Sequence, residues 1–66
     1  MKIEVNKKQY EVVENYTVQL LIDEIIKNRK NIAIAVNNRV ISYNEWSNYK
    51  LSNNDKVIII RAACGG

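Results

Sequence analysis

Lys56-Val57-Ile58-Ile59-Ile60-Arg61 is the strongest strand in the chain. Its four consecutive β-branched residues favour extended backbone, because a branched Cβ packs well on a pleated surface. Successive side chains of a strand point to opposite sides of a sheet. An unbroken apolar run therefore predicts a central strand with apolar surroundings on both faces. Asn53-Asn54-Asp55, just upstream, is a tight turn built from residues that bond their own backbone and tolerate left-handed geometry. Just downstream come Ala62, Ala63 and Cys64, then Gly65-Gly66, the only two glycines of the chain. There is no proline either. Every earlier turn is thus made without the residue best suited to positive φ.

Working back towards the N-terminus, Ile32-Ala33-Ile34-Ala35-Val36 alternates large with small. Ile32, Ile34 and Val36 share one face, expected to pack on a helix, and the alanines leave the other face flat. Asn37-Asn38-Arg39 is a turn and Val40-Ile41 a short strand. Ser42 is placed to cap a short helical turn through Trp46. Tyr43 and Trp46, three residues apart, are expected to cover one edge of the core. The one long helix runs from about 17 to 29. Val18, Leu21, Ile22, Ile25 and Ile26 form its apolar stripe, with Asp23, Glu24, Lys27 and Asn28 on the wet side. Thr17 is its N-cap, Arg29 and Lys30 suit its C-terminal dipole, and Asn31 caps it in place of glycine. Residues 1–6 and 9–12 each alternate apolar with polar, and the turn Asn6-Lys7-Lys8 joins them as an antiparallel hairpin. Tyr10 and Val12 then share a face with Ile3 and Val5.

This order makes an α+β domain: a mixed sheet of four to five strands, one face packed on one main helix. The last strand is expected to lie parallel to the first, because the helix crossover lies between them. That is the β-grasp arrangement. Residues 1–62 form the domain and 63–66 a flexible tail. A chain of 66 residues buries about 60% of its unfolded surface, so its core is small. Histidine is absent, which removes histidine-based catalysis and histidine metal sites. One cysteine forms no internal disulfide and fits a reducing compartment. No apolar run approaches a membrane span and no signal peptide opens the chain, so a soluble cytoplasmic protein is expected. The net charge of +3 is scattered, with Glu4, Glu11, Glu14, Asp23, Glu24 and Glu45 interleaved among the cations. Without a contiguous basic face, neither nucleic acid nor membrane is an expected partner.

The two glycines sit where no turn needs them. A carboxylate on a segment without side chains reads as a chemical handle, the bland alternatives being a frayed terminus or a cloning scar. Val36-Asn37 followed by Val40-Ile41 and Trp46, the run Asn54-Asp55-Lys56-Val57-Ile58-Ile59, and the terminal Gly65-Gly66 together carry a resemblance. By these motifs the chain resembles the ubiquitin-like sulfur carriers, and among them the ThiS-type carriers of thiamine biosynthesis. The resemblance covers the whole chain. The chain departs from that family's pattern in three ways: Asn54 stands where glycine is frequent, Cys64 stands where a small or aliphatic residue is frequent, and the chain is more basic.

The resemblance implies a protein cosubstrate rather than an enzyme. The Gly66 carboxylate would be adenylated by a ubiquitin-activating-type adenylating enzyme, which supplies the ATP, so that no cofactor or metal is bound by the chain itself. The adenylate would become a thiocarboxylate with sulfur from a donor such as a cysteine desulfurase. A thiazole synthase would then take that sulfur. Gly65 and Gly66 would thread the narrow site because they lack Cβ. Ala62, Ala63 and Cys64 would prolong the slim segment. Strand alternation puts Ile58 and Ile60 outward beside Ala33 and Ala35 if Val57 and Ile59 face the helix. That patch is expected to dock the partners, unless the Tyr43–Trp46 segment covers it. Arg61 would pair with an acidic rim on the partner or remain a solvated charge. Nothing near Cys64 in sequence lowers its pKa, so it reads as a tolerated small residue rather than a nucleophile. Three rivals share these features: the small subunit of molybdopterin synthase, a ubiquitin-like modifier of lysines, and a small binding domain with an incidental Gly-Gly end.

Overall fold

In the computed structural model, which describes residues 1–26 and 31–61, the Val57–Ile60 run lies at the middle of the sheet. Five strands are present: β1 (Lys2–Val5), β2 (Lys8–Glu11), β3 (Ile32–Val36), β4 (Arg39–Ile41) and β5 (Lys56–Arg61). Their order is β2-β1-β5-β3-β4. β5 runs parallel to β1, and every other pairing is antiparallel. In register, Ile3 faces Tyr10, so the hairpin shares its buried side as the alternation predicted.

The helix starts where its sequence says. Thr17 is extended, and its Oγ1 accepts from the Leu20 N–H at 3.2 Å. Two more of the free N–H groups of the first turn find carbonyls on the segment that follows β4. Val18 donates to Tyr49 and Gln19 to Trp46, both at 3.0 Å. A regular α turn, α1 (Val18–Leu21), then widens into a π-helical stretch, Ile22–Ile26. Apolar spacing alone does not separate i+4 from i+5 closure, and the sequence predicted one uniform helix. Lys27, Asn28, Arg29 and Lys30, expected to finish it, lie outside the described residues. Val18, Leu21 and Ile22 are fully buried against Ile3, Val5, Ile34, Val36, Ile41 and Val57 of the sheet, with Ile25 and Ile26 half-buried at the margin.

Asparagine does the work of the absent glycines. Seven described residues have positive φ, and six of them are Asn6, Asn15, Asn31, Asn37, Asn38 and Asn54. Each short polar side chain tolerates left-handed backbone at little cost. Asn37 contributes more than a turn. Its N–H donates to the Lys56 carbonyl (2.8 Å), its Oδ1 accepts from the Lys56 N–H (2.9 Å), and its Nδ2 donates to Asp55 Oδ1 (2.9 Å). Asp55 is buried, and its other oxygen accepts from the Ser52 N–H at 2.7 Å. The β3–β4 turn is thereby latched to the start of β5.

Three expectations need correction. Ser42 stands at the start of a 3-10 turn, Tyr43–Glu45, but its side chain makes no capping bond and donates instead to Glu45 Oε2 at 3.3 Å. Trp46 enters the core, with its Nε1 donating to the Ile41 carbonyl (3.1 Å). Tyr43 stays 70% exposed, its ring 5.0 Å from that of Trp46, so only one of the two aromatics covers the core. The outward side of β5 meets solvent rather than apolar surroundings, since the single helix covers one face of the sheet.

Candidate functional site

Alternation along β5 splits its apolar residues. Val57 is buried and Ile59 half-buried on the helix side, whereas Ile58 and Ile60 are 39% and 56% exposed on the other. Ala35 pairs with Ile58 and Ala33 with Ile60, so the alanines lie beside them on the same face, as predicted. Ala35 also pairs with Val40 of β4, which is 71% exposed. An apolar row of Val40, Ala35 and Ile58 therefore crosses three strands, and Ala33 and Ile60 continue it towards the end of β5. The Tyr43–Trp46 segment does not bury this row. Sequence reading missed Val40. Its signal was available, since a two-residue turn at Asn37-Asn38 sets the β3–β4 register and puts Val40 opposite Ala35 in β3.

 Ala35 and Val40 are thus cross-strand neighbours, and the patch is wider than β3 and β5 alone.

Arg61 is exposed and is the last described residue, paired with Ile32 on β3. Ala62, Ala63, Cys64, Gly65 and Gly66, the rest of the predicted site, lie outside the described residues. The patch thus adjoins the point from which the chain continues to its C-terminal carboxylate. On the neighbouring strands the same face turns polar, with Glu4 of β1 opposite Lys56 and also opposite Gln9 of β2. The open face is accordingly half apolar and half charged.

A separate concavity of about 590 Å³ lies between β2 and the helix start, lined by Tyr10, Val12, Val13, Tyr16, Leu20 and Ile25 among others. It sits at the end of the sheet where β1 begins, away from the C-terminal end of β5. Tyr16 in its wall donates to Glu24 Oε1 at 2.7 Å. Burial first, and then the bond to that carboxylate, push the Tyr16 hydroxyl pKa well above the usual tyrosine value. Among the described residues, no group of three or more cysteine, aspartate or glutamate side chains is placed to hold a metal ion. No helix among them is long and apolar enough to cross a membrane.

Comparison with known proteins bears on this arrangement at two levels. No curated protein matches the chain in sequence. A solved structure, the thiamine biosynthesis protein ThiS from Geobacter metallireducens, superposes with a TM-score of 0.85 at 20% identity, covering 100% of both chains. At that identity the likeness establishes the fold, a ubiquitin-like β-grasp. The profile of the ThiS family matches residues 3–66, from the first strand through the terminal glycines. With nearly the whole length matched, the chain belongs to the ThiS family, the small sulfur carriers of thiamine biosynthesis.

Proposed function

We propose that this chain carries sulfur as a thiocarboxylate on Gly66 for formation of the thiazole ring of thiamine. The observation that carries the reading is the family match, which extends through Gly65-Gly66. An apolar row next to the root of that segment supports it. The folded domain acts as the docking body, and residues 63–66 carry the reacting carboxylate. A carboxylate is a poor electrophile until it has a good leaving group. A Gly66 oxygen therefore attacks the α-phosphorus of ATP held by a ubiquitin-activating-type enzyme, and pyrophosphate leaves. The outer sulfur of a persulfide on a donor such as a cysteine desulfurase then displaces AMP, giving an acyl disulfide. A second thiol cleaves that S–S bond, forming a disulfide with the donor sulfur and leaving the thiocarboxylate on Gly66, from which a thiazole synthase takes the sulfur. The chain is a cosubstrate in these steps, and the ATP belongs to the partner.

The physics of the tail sets what the body must do. A slim segment of glycine and alanine offers a partner little surface, so affinity has to come from elsewhere. Ile58, Ile60 and Val40, with Ala33 and Ala35 between them, supply an apolar surface for this, and Arg61 offers a charge at its rim. Gly65 and Gly66 fit a narrow passage because they have no Cβ. Ala62, Ala63 and Cys64 keep the approach slim, and Cys64 serves as a small residue rather than a nucleophile.

The test is ATP–pyrophosphate exchange by the adenylating enzyme encoded in the same organism. Wild type is expected to support exchange, and a chain with one residue appended after Gly66 is expected to support none. Equal exchange with both chains, or none with wild type, would overturn the reading.

A further inference from the structure

Where β1 stops, one side chain takes its place. β1 ends at Val5, and the backbone turns left-handed at Asn6, with φ of 48°. The Asn6 N–H still donates to the Val57 carbonyl at 3.0 Å. Its carboxamide then reaches the next ladder position on β5. The Ile59 N–H donates to Asn6 Oδ1 at 2.8 Å, and Asn6 Nδ2 donates to the Ile59 carbonyl at 3.3 Å. A carboxamide presents a donor and an acceptor much as a peptide group does, so it replaces the peptide that β1 no longer supplies. Glycine suits a φ of 48° better but has no such group.

The location of this clamp gives it its meaning. Ile59 lies two residues before Arg61, the end of β5. On the opposite side β3 follows β5 all the way, through the pair Ile32 and Arg61. On the β1 side the carboxamide is the last described contact with the β5 backbone. Remove it, and the final residues of β5 are held from one side only.

Resting on the sulfur-carrier reading, we propose that Asn6 is a positioning residue for the modification of Gly66. It fixes the last described residues of β5, Ile59–Arg61, from which the chain continues to Gly66, and so raises the fraction of docked carriers whose carboxylate reaches the reacting phosphorus. Small misplacement of a reacting group is costly in rate. The apolar row governs docking and hence KM, whereas the clamp governs presentation and hence kcat at saturating carrier.

Two variants test this. Asn6→Gly keeps the left-handed backbone and deletes the carboxamide. Asn6→Asp keeps the shape and the acceptor but loses the donor. Adenylation is measured against carrier concentration, and amide hydrogen exchange is followed at Ile59, Ile34 and Val57. Asn6→Gly is expected to lose protection at Ile59 while Ile34 and Val57 keep theirs. Its kcat is expected to fall about tenfold with KM within about twofold, and Asn6→Asp to fall between it and wild type. If Asn6→Gly does not fold cooperatively, Asn6→Asp decides by the same split between kcat and KM. Unchanged kcat, a change in KM alone, or full protection at Ile59 would overturn the positioning role. Wild type that is not adenylated at all would overturn the carrier reading itself, and the positioning role with it.

Discussion

Val57 and Ile58 are adjacent in the chain and lie on opposite sides of the sheet. Val57 is sealed under the helix with Ile34 and Val36, while Ile58 joins Ile60 and Val40 in solvent. The chemistry of the two sets is the same, and what differs is coverage. One helix buries one face, which makes the first set structural. The second set stays available for a partner beside the root of the C-terminal segment. On the proposed reading, that open apolar surface is where the partner enzymes dock.

The largest effect that sharpens this contrast is on the buried side. Ile34→Ala leaves a cavity under the helix and is expected to cost about 2–5 kcal/mol, measured by urea unfolding. A domain of this size holds roughly 3–10 kcal/mol in total, so that variant should be partly unfolded at 37 °C. Next comes the latch between the β3–β4 turn and the start of β5. Asn37→Ala strips the Lys56 N–H and the buried Asp55 carboxylate of partners, for an expected loss of about 1–3 kcal/mol by the same measurement.

On the open side the ranking inverts. Ile60→Ser is expected to change stability by no more than about 0.5 kcal/mol. The same substitution should weaken binding to the adenylating enzyme by about tenfold, measured by titration calorimetry, as loss of an apolar contact at an interface would. If Ile60→Ser instead destabilises the fold as much as Ile34→Ala, the two faces are not separate in function.

The smallest effect is in alkaline titration. An unfolded tyrosine ionises near pH 10, and Tyr16 holds its proton to higher pH when folded. Its contribution to stability is therefore fully present below pH 10 and is lost as pH climbs above it. Tyrosinate absorbance should show a step well above pH 10, and Tyr16→Phe should remove it.

Much of this was legible in the residues because it is local. Thr17 caps the helix through its own hydroxyl, and Asn31, Asn37 and Asn54 take the left-handed positions that glycine would otherwise fill. Alternation put Ile58 and Ile60 on one side, and the crossover made β5 parallel to β1. What escaped is set by tertiary context. Four apolar residues in a row do not say whether the outward face is covered. Spacing of Val18, Leu21, Ile22, Ile25 and Ile26 does not reveal a π-helical closure. Tyr43 and Trp46 share a spacing, yet only Trp46 has a carbonyl waiting for its N–H in the core. Asn6 read as a turn residue, and its second role depends on Ile59, 53 positions away.

The measurement that tests the central claim most directly is the mass of Gly66 in protein isolated from its own cells grown without thiamine. Peptide mapping is needed because oxidation of Met1 or Cys64 adds nearly the same mass as exchange of oxygen for sulfur. The account predicts a C-terminal peptide in which one Gly66 oxygen is replaced by sulfur, alkylated selectively at neutral pH. An unmodified Gly66, even after incubation with the adenylating enzyme, ATP and a sulfur donor, would contradict it.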